Sequence, residues 1–185
     1  MFKKAAINLI AAFFLGKALT LLKTTHTCKS QDSCHTRSKF MKSNAKITIN
    51  RDRETVFKYT IENVPEWSSV VVSDELIKNV DNYGPGTTYK VITKDRGTEM
   101  VFDGLVLINE QPSKHRSIMR GDYFDMDVTY HFEEQEGGTQ VRQEAVISPK
   151  GLLRIIFFFV GWMMTRGSCR AAQNELNHLK AHLEA

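Results

Sequence analysis

The chain has 185 residues, 42% of them hydrophobic, and a formal net charge of +4. That length suits one domain of ordinary size plus an extension, and a domain of roughly 150 residues buries about 70% of the surface its unfolded chain exposes, enough for a core without disulfides. The charge is unevenly placed: residues 1–40 hold seven Lys/Arg against one acid, so the rest has 18 basic and 20 acidic residues and no basic footprint for nucleic acid.

The leader comes first, at 1–40, ahead of a domain at 41–185. "MFKKAAINLIAAFFLGKALTLLK" has a charged start and an apolar run from Ala5 to Gly16, the shape of a signal-peptide n-region and h-region. The run is short against the ~20 residues a spanning helix takes, and no clean small-x-small cleavage site follows. An export signal, a membrane anchor, an interfacial helix and a start-site artefact all stand as readings. The protein is membrane-associated or exported if the leader is genuine, and cytoplasmic if translation starts at Met41. His26, Cys28, Cys34 and His35 crowd the following linker. Their spacing departs from the cysteine pairs of structural zinc sites, so a polar linker is expected and no metal site.

"AKITI" alternates and predicts a first strand. Asn50 or Asp52 then caps a helix with Val56, Phe57, Thr60 and Ile61 on one face. Val64-Pro65 ends it, and Pro65 to Ser68 start a second, short helix. Strands follow: "SVVVSDELIKN", "GPGTTYKVITKD" after a glycine-proline turn, "TEMVFDGLVLINEQP" with Gly104 as a bulge or bend, and "KHRSIMRG". "YFDMDVTYHFEE" puts Phe124, Met126, Val128, Tyr130 and Phe132 on one face. Gly137-Gly138 marks a hairpin, and "TQVRQEAVIS" returns with Thr139, Val141, Gln143, Ala145 and Ile147 facing inward.

From Ser148 the pattern changes period. Ser148 as cap and Pro149 at the first position predict the start of one long helix. Ile155, Phe158, Trp162, Thr165, Cys169, Ala172, Leu176, Leu179 and Leu183 draw one stripe along it, and Cys169 is expected as a small core residue of that stripe. Leu153, Phe157, Val160 and Met164 form a second stripe nearly opposite. It calls for a cover: a membrane surface, a second copy in a homodimer, or the leader folded back. Strands joined by short turns and closed by a long helix predict an α+β domain, a curved antiparallel sheet of six or seven strands wrapped around the C-terminal helix.

The segments "ITINRDRETVFKYTIENVPEWSSVV", "GPGTTY", "VTYHFEEQEGGTQVRQEAVISPKGLLR" and "ELNHLKAHLE", in that order, resemble the SRPBCC superfamily. These are the START/Bet v 1-like helix-grip proteins, and the likeness is greatest to the polyketide cyclase/dehydrase-like branch. The resemblance covers about residues 45–184. It implies a cavity between sheet and helix, in a superfamily that spans lipid and quinone carriers, cyclases and oxygenase subunits. Fold does not choose among them.

Inward positions offer an apolar lining of Trp67, Tyr89, Phe102, Met126, Tyr130, Phe158 and Trp162, residues that serve a core equally well. Arg120 is placed to meet a carboxylate or ring oxygen, and Gln143 to orient a ligand or bond Tyr130. His115 and His131 are expected at the surface, and Asp125 and Asp127 on the outer face as solvated charges. No phosphate loop, hydrolase elbow or metal-ligand spacing is present in the domain, so no catalytic residue and no cofactor is expected. The sequence therefore points to a binder of a hydrophobic small molecule such as a lipid, quinone or isoprenoid. A loop at Gly84–Gly86 and the long helix act as its gate. The alternatives are a cyclase/aromatase-like enzyme, or an interaction protein that uses the exposed helix stripe.

Overall fold

The computed structural model describes residues 41–95 and 97–185, and the backbone alone over 156–166. The expectations for the leader and its His/Cys cluster lie outside the described residues. Strand β1 (Met41–Ile49) leads into α1 (Arg53–Glu62) and α2 (Val64–Trp67). Then come β2 (Val71–Lys78), β3 (Thr88–Asp95), β4 (Thr98–Glu110), β5 (Lys114–Gly121), β6 (Phe124–Gln135), β7 (Gly138–Pro149) and the long helix α3 (Leu153–Leu183). The seven strands form one sheet in the order β1-β7-β6-β5-β4-β3-β2, with every neighbouring pair antiparallel. The α+β helix-grip architecture expected from the sequence is the one observed.

Local chemistry accounts for most boundaries. Asp52 caps α1 by accepting from Thr55 N at 2.8 Å, and Pro65 sits in the first turn of α2, where its missing N–H costs nothing. A two-residue loop, Glu136-Gly137, joins β6 to β7, with φ of 85° at Gly137. Two details differ from the sequence reading. Gly104 makes no bulge; pairing runs through it, and the register shifts between Val106 and Ile108 instead. Ser148 and Pro149 do not start the helix. They close β7, opposite Asp125 and Phe124, and α3 begins at Leu153 with no side-chain cap. A proline at a strand terminus gives up little of the ladder, so the sheet claims a dipeptide that also suits a helix start.

The described core gathers at one end of the sheet. Ala45 and Ile49 of β1, Val56 and Phe57 of α1, Trp67 of α2, Phe132 of β6, Val141 of β7 and Leu176, Leu179 and Leu183 of α3 form one buried cluster. Phe57 meets Phe132 edge-on at 5.0 Å between ring centres. Polar stitches hold the same end. Lys180 Nζ donates to Thr48 O at 2.6 Å, Asn50 N donates to Glu184 Oε1 at 2.7 Å, and Ser68 Oγ donates to Glu175 Oε2 at 2.6 Å. The Asn50 amide and the Lys180 ammonium hold the Glu184 carboxyl below its usual range. No described helix is long and apolar enough to cross a membrane.

The stripe drawn from the sequence is correct for the second half of α3 and out of phase at its start. Leu176 and Leu179 are fully buried, but Ile155 is 56% exposed while Leu153 is buried. Cys169 is half-buried and free. Leu179→Ala is expected to cost about 2–5 kcal/mol of stability, and Ile155→Ala less than about 0.5 kcal/mol. Urea unfolding of the two variants checks this, and an equal loss at both sites would contradict the anchoring described.

Candidate functional site

Beyond the core cluster the concave face changes character. One cross-strand row reads Ala45, Gln143, Tyr130, His115 and Asn109 on β1, β7, β6, β5 and β4. The next reads Ser43, Ala145, Val128, Ser117 and Val106, and the one after Met41, Ile147, Met126, Met119, Gly104 and Tyr89. Small residues recur: Ser43, Ala145, Ser117 and Gly104. Two of the large ones lie flat. A Cβ on Gly104 would sit 2.3 Å from the Tyr89 ring, and one on Gly121 would sit 2.6 Å from the Phe102 ring. Each ring therefore covers a cross-strand glycine and adds little height to the floor. Phe102 also packs against Phe124 at 5.4 Å.

The first row carries the polar groups. His115 is 5% exposed, contrary to the surface position expected from sequence. Its Nδ1 lies 3.1 Å from Asn109 Oδ1, and Asn109 Nδ2 donates to Asn82 O at 3.3 Å. The carbonyl of Asn82 can only accept, which fixes the Asn109 amide with its oxygen toward the imidazole. Nδ1 then carries the proton and Nε2 is left as an acceptor. Burial pushes the imidazole down to about 4, so it is neutral at physiological pH. Burial also pushes the Tyr130 phenol up, with the Glu175 carboxylate as a smaller cause. The Tyr89 phenol is pushed up to about 12 by burial, against an opposing pull from the Ser117 hydroxyl. Gln143 Oε1 is buried without a hydrogen-bond partner among the described residues. At the sheet edge Asp74, opposite Val91, is exposed as a residue, yet shielding by its surroundings raises its carboxyl pKa.

Asn82 belongs to an unusual turn between β2 and β3. Asp81, Asn82 and Tyr83 all have positive φ, at 42°, 55° and 63°, a left-handed conformation that side chains other than glycine disfavour. Hydrogen bonds over-determine it. Gly84 N donates to Val80 O at 2.6 Å, Tyr83 N to Asn79 Oδ1 at 2.9 Å, and Val80 N to Thr87 Oγ1 at 3.0 Å. Gly84 itself is buried, and a Cβ there would meet Val80 O at 3.0 Å. The turn, Pro112 and α1 border a cleft of about 450 Å³ whose walls include Phe57, Lys58 and Tyr83. It opens to solvent beside the sheet and is distinct from the concave floor.

The structure brings Tyr89, Phe102, Met126, Tyr130 and Gln143 together on the concave side. Trp67 is instead part of the packed core, with Nε1 donating to Thr60 O at 3.3 Å. Arg120 falls on the opposite face, exposed and level with Asp103 and Asp125, because alternation from the inward Met119 turns it outward; it is not in the site. Phe158 and Trp162 lie on α3, and their side chains are outside the described residues. Asp127 takes two hydrogen bonds from Arg116, at 2.9 and 2.6 Å, and Asp125 pairs with Lys150 at 2.7 Å. Both are thus outer-face ion pairs rather than an acid pair. His131 is level with Lys114 and Arg142 on that same side.

No protein-family profile matches the sequence, and no curated protein matches it. Solved structures do. The Thermus thermophilus protein TTHA0849 superposes with a TM-score of 0.64 at 16% identity, over 77% of this chain and 97% of that one. A START superfamily protein from Mycobacterium smegmatis gives 0.59 at 12% identity, over 77% and 97%. The fold is the START-like helix-grip fold. The di-domain ARO/CYC BexL from the BE-7585A biosynthetic pathway also carries it, with a TM-score of 0.56 at 14% identity over 79% of this chain and 50% of that one. At these identities the likeness establishes the helix-grip fold and leaves the activity to be argued from the residues.

The buried His115 carries a testable sign. A base whose pKa falls from 6.5 to about 4 on folding leaves the unfolded chain holding the extra proton between those values. Its contribution to stability is therefore fully present above pH 6.5 and is lost as pH falls through about 4, by roughly 3 kcal/mol at most. NMR titration is expected to show a neutral, Nδ1-protonated His115 down to about pH 5, and His115→Gln to flatten this part of the stability profile. A His115 that titrates near 6.5 would contradict the burial.

Proposed function

We propose that the protein binds a hydrophobic small molecule between the concave sheet and α3. The observation that carries this reading is the change in the floor. Large side chains interlock beneath the last turns of the helix. Further along, the same face interleaves Ser43, Ala145, Ser117 and Gly104 with Met126, Met119, Ile147 and Val128, and the Tyr89 and Phe102 rings lie over glycines. An apolar guest taken up over the small residues of this floor would gain about 25 cal/mol per Å² of surface withdrawn from water. The turn at Asp81–Tyr83 and the adjoining cleft would serve as the entrance. Lipid, quinone and isoprenoid-like molecules are all compatible with such a wall.

A cyclase-like reading draws on one specific feature: His115 and Tyr130 are cross-strand neighbours on that face. Their protonation argues for binding instead. An imidazole held near 4 is a weak base, and a phenol pushed upward is a weak acid. General acid–base catalysis favours values near the working pH. Both groups are better suited to accept and donate hydrogen bonds than to move protons.

Organic extraction of purified protein followed by mass spectrometry, with titration of the uncharged probe Nile red, tests the reading. One saturable equivalent of probe is expected. Ser117→Trp, which would raise the floor, is expected to weaken binding about tenfold or more, equivalent to about 1.4 kcal/mol. Probe uptake that neither saturates nor responds to Ser117→Trp would refute an interior site.

A further inference from the structure

The polar row restricts the ligand's head group. We propose that the site takes an uncharged apolar molecule whose head is a hydrogen-bond donor, in the simplest case a hydroxyl, received by Gln143 Oε1 and His115 Nε2 on either side of Tyr130. This rests on the binding reading above and narrows it to a ligand class.

Three observations converge. First, the tautomer is dictated from outside the site. The chain Asn82 O, Asn109 and His115 Nδ1 fixes the imidazole so that its other nitrogen can only accept. Second, Gln143 Oε1 is a buried acceptor with no partner among the described residues, and such groups are rarely left unmade without a reason. Gln143, Tyr130 and His115 are consecutive in one cross-strand row, and directly opposite residues have Cβ atoms about 5 Å apart. Acceptors on two strands thus flank a phenol whose burial keeps it protonated. A ligand hydroxyl could donate to either acceptor and accept from the Tyr130 hydroxyl.

Third, the described floor offers no cation to an anion. Its inward positions from β1 to β7 hold no Lys or Arg; Lys46, Arg116, Arg120 and Arg142 alternate to the other side. Asp74 at the β2 edge supplies a carboxyl rather than a cation. A carboxylate or phosphate head would lose its hydration with the neutral Tyr130 hydroxyl and no counter-ion to replace it, which is costly. A site built to hydrogen-bond a hydroxyl also discriminates strongly against the analogue that lacks its hydrogen.

Calorimetric titration of the full chain at neutral pH with two matched sets tests this: naphthol, methoxynaphthalene and naphthoate, and dodecanol, dodecyl methyl ether and dodecanoate. In each set that binds, the alcohol is expected to be at least about tenfold tighter than the ether and the carboxylate. Gln143→Met and His115→Phe should each remove most of the alcohol-over-ether advantage, read as the ratio of the two affinities in the same variant. The His115 Nε2 resonance should move on adding the alcohol and stay put with the ether, a readout that survives if either variant fails to fold. Ether or carboxylate binding as tightly as the alcohol would overturn the head-group assignment and leave the apolar-binder reading standing. Failure of both sets together with Nile red would overturn both.

Discussion

The structure depends on how α3 is held at one end. Its last two turns insert Leu176, Leu179 and Leu183 among Ile49, Phe57, Phe132 and Val141, and Lys180, Glu184 and Glu175 tie the same turns to Thr48, Asn50 and Ser68. That anchor is apolar and polar at once, and α3 shares it with β1, α1, β6 and β7. From this anchor α3 runs 31 residues, and its second half follows β1, with Lys46 N donating to Gln173 Oε1 at 3.4 Å and Lys180 reaching Thr48 O. On the concave face the floor is low wherever glycine lies beneath a flat aromatic ring.

Two opposed design demands meet on the same sheet. Beneath the anchor the sheet needs large interlocking residues, and interior packing leaves little void there. One row further on it carries buried polar atoms, of which Gln143 Oε1 is left without a described partner. Stability gains nothing from such an atom; a binding site can use it. The left-handed turn at Asp81–Tyr83 fits the same pattern. Its strain is balanced by a dense local hydrogen-bond set, and its Asn82 carbonyl orients Asn109 and through it His115. Strained backbone of this kind persists where the surroundings over-determine it.

Much of this was legible in the sequence. The inward faces of β6 and β7 were readable because Phe124 to Phe132 and Thr139 to Ile147 alternate cleanly, and Gln143 followed from that alternation. The second half of α3 was readable because polar residues mark its outer side. Its first turns were not. They are apolar nearly all round, so the periodicity holds no phase, and Ile155 and Leu153 exchanged roles. β5 hid His115 for a related reason. His115, Ser117 and Met119 on one side and Arg116, Ile118 and Arg120 on the other give no clear contrast in hydropathy. Only pairing with Tyr130 and Val128 decides which side is inward. The Ser148-Pro149 start signal lost to strand pairing. Three consecutive left-handed residues in Asp-Asn-Tyr had no glycine to announce them.

The central claim is that space remains between the low floor and the first half of α3. Methyl-to-aromatic NOE measurements on the ligand-stripped protein test it most directly, from Met126, Val128 and Met119 on the sheet to Phe158 and Trp162 on the helix. The account predicts that these cross-peaks are sparse in the empty protein and are replaced by contacts to the guest once an apolar molecule is added. A dense network of direct sheet-to-helix NOEs, unchanged by any apolar addition, would mean that the interior is filled by the protein itself.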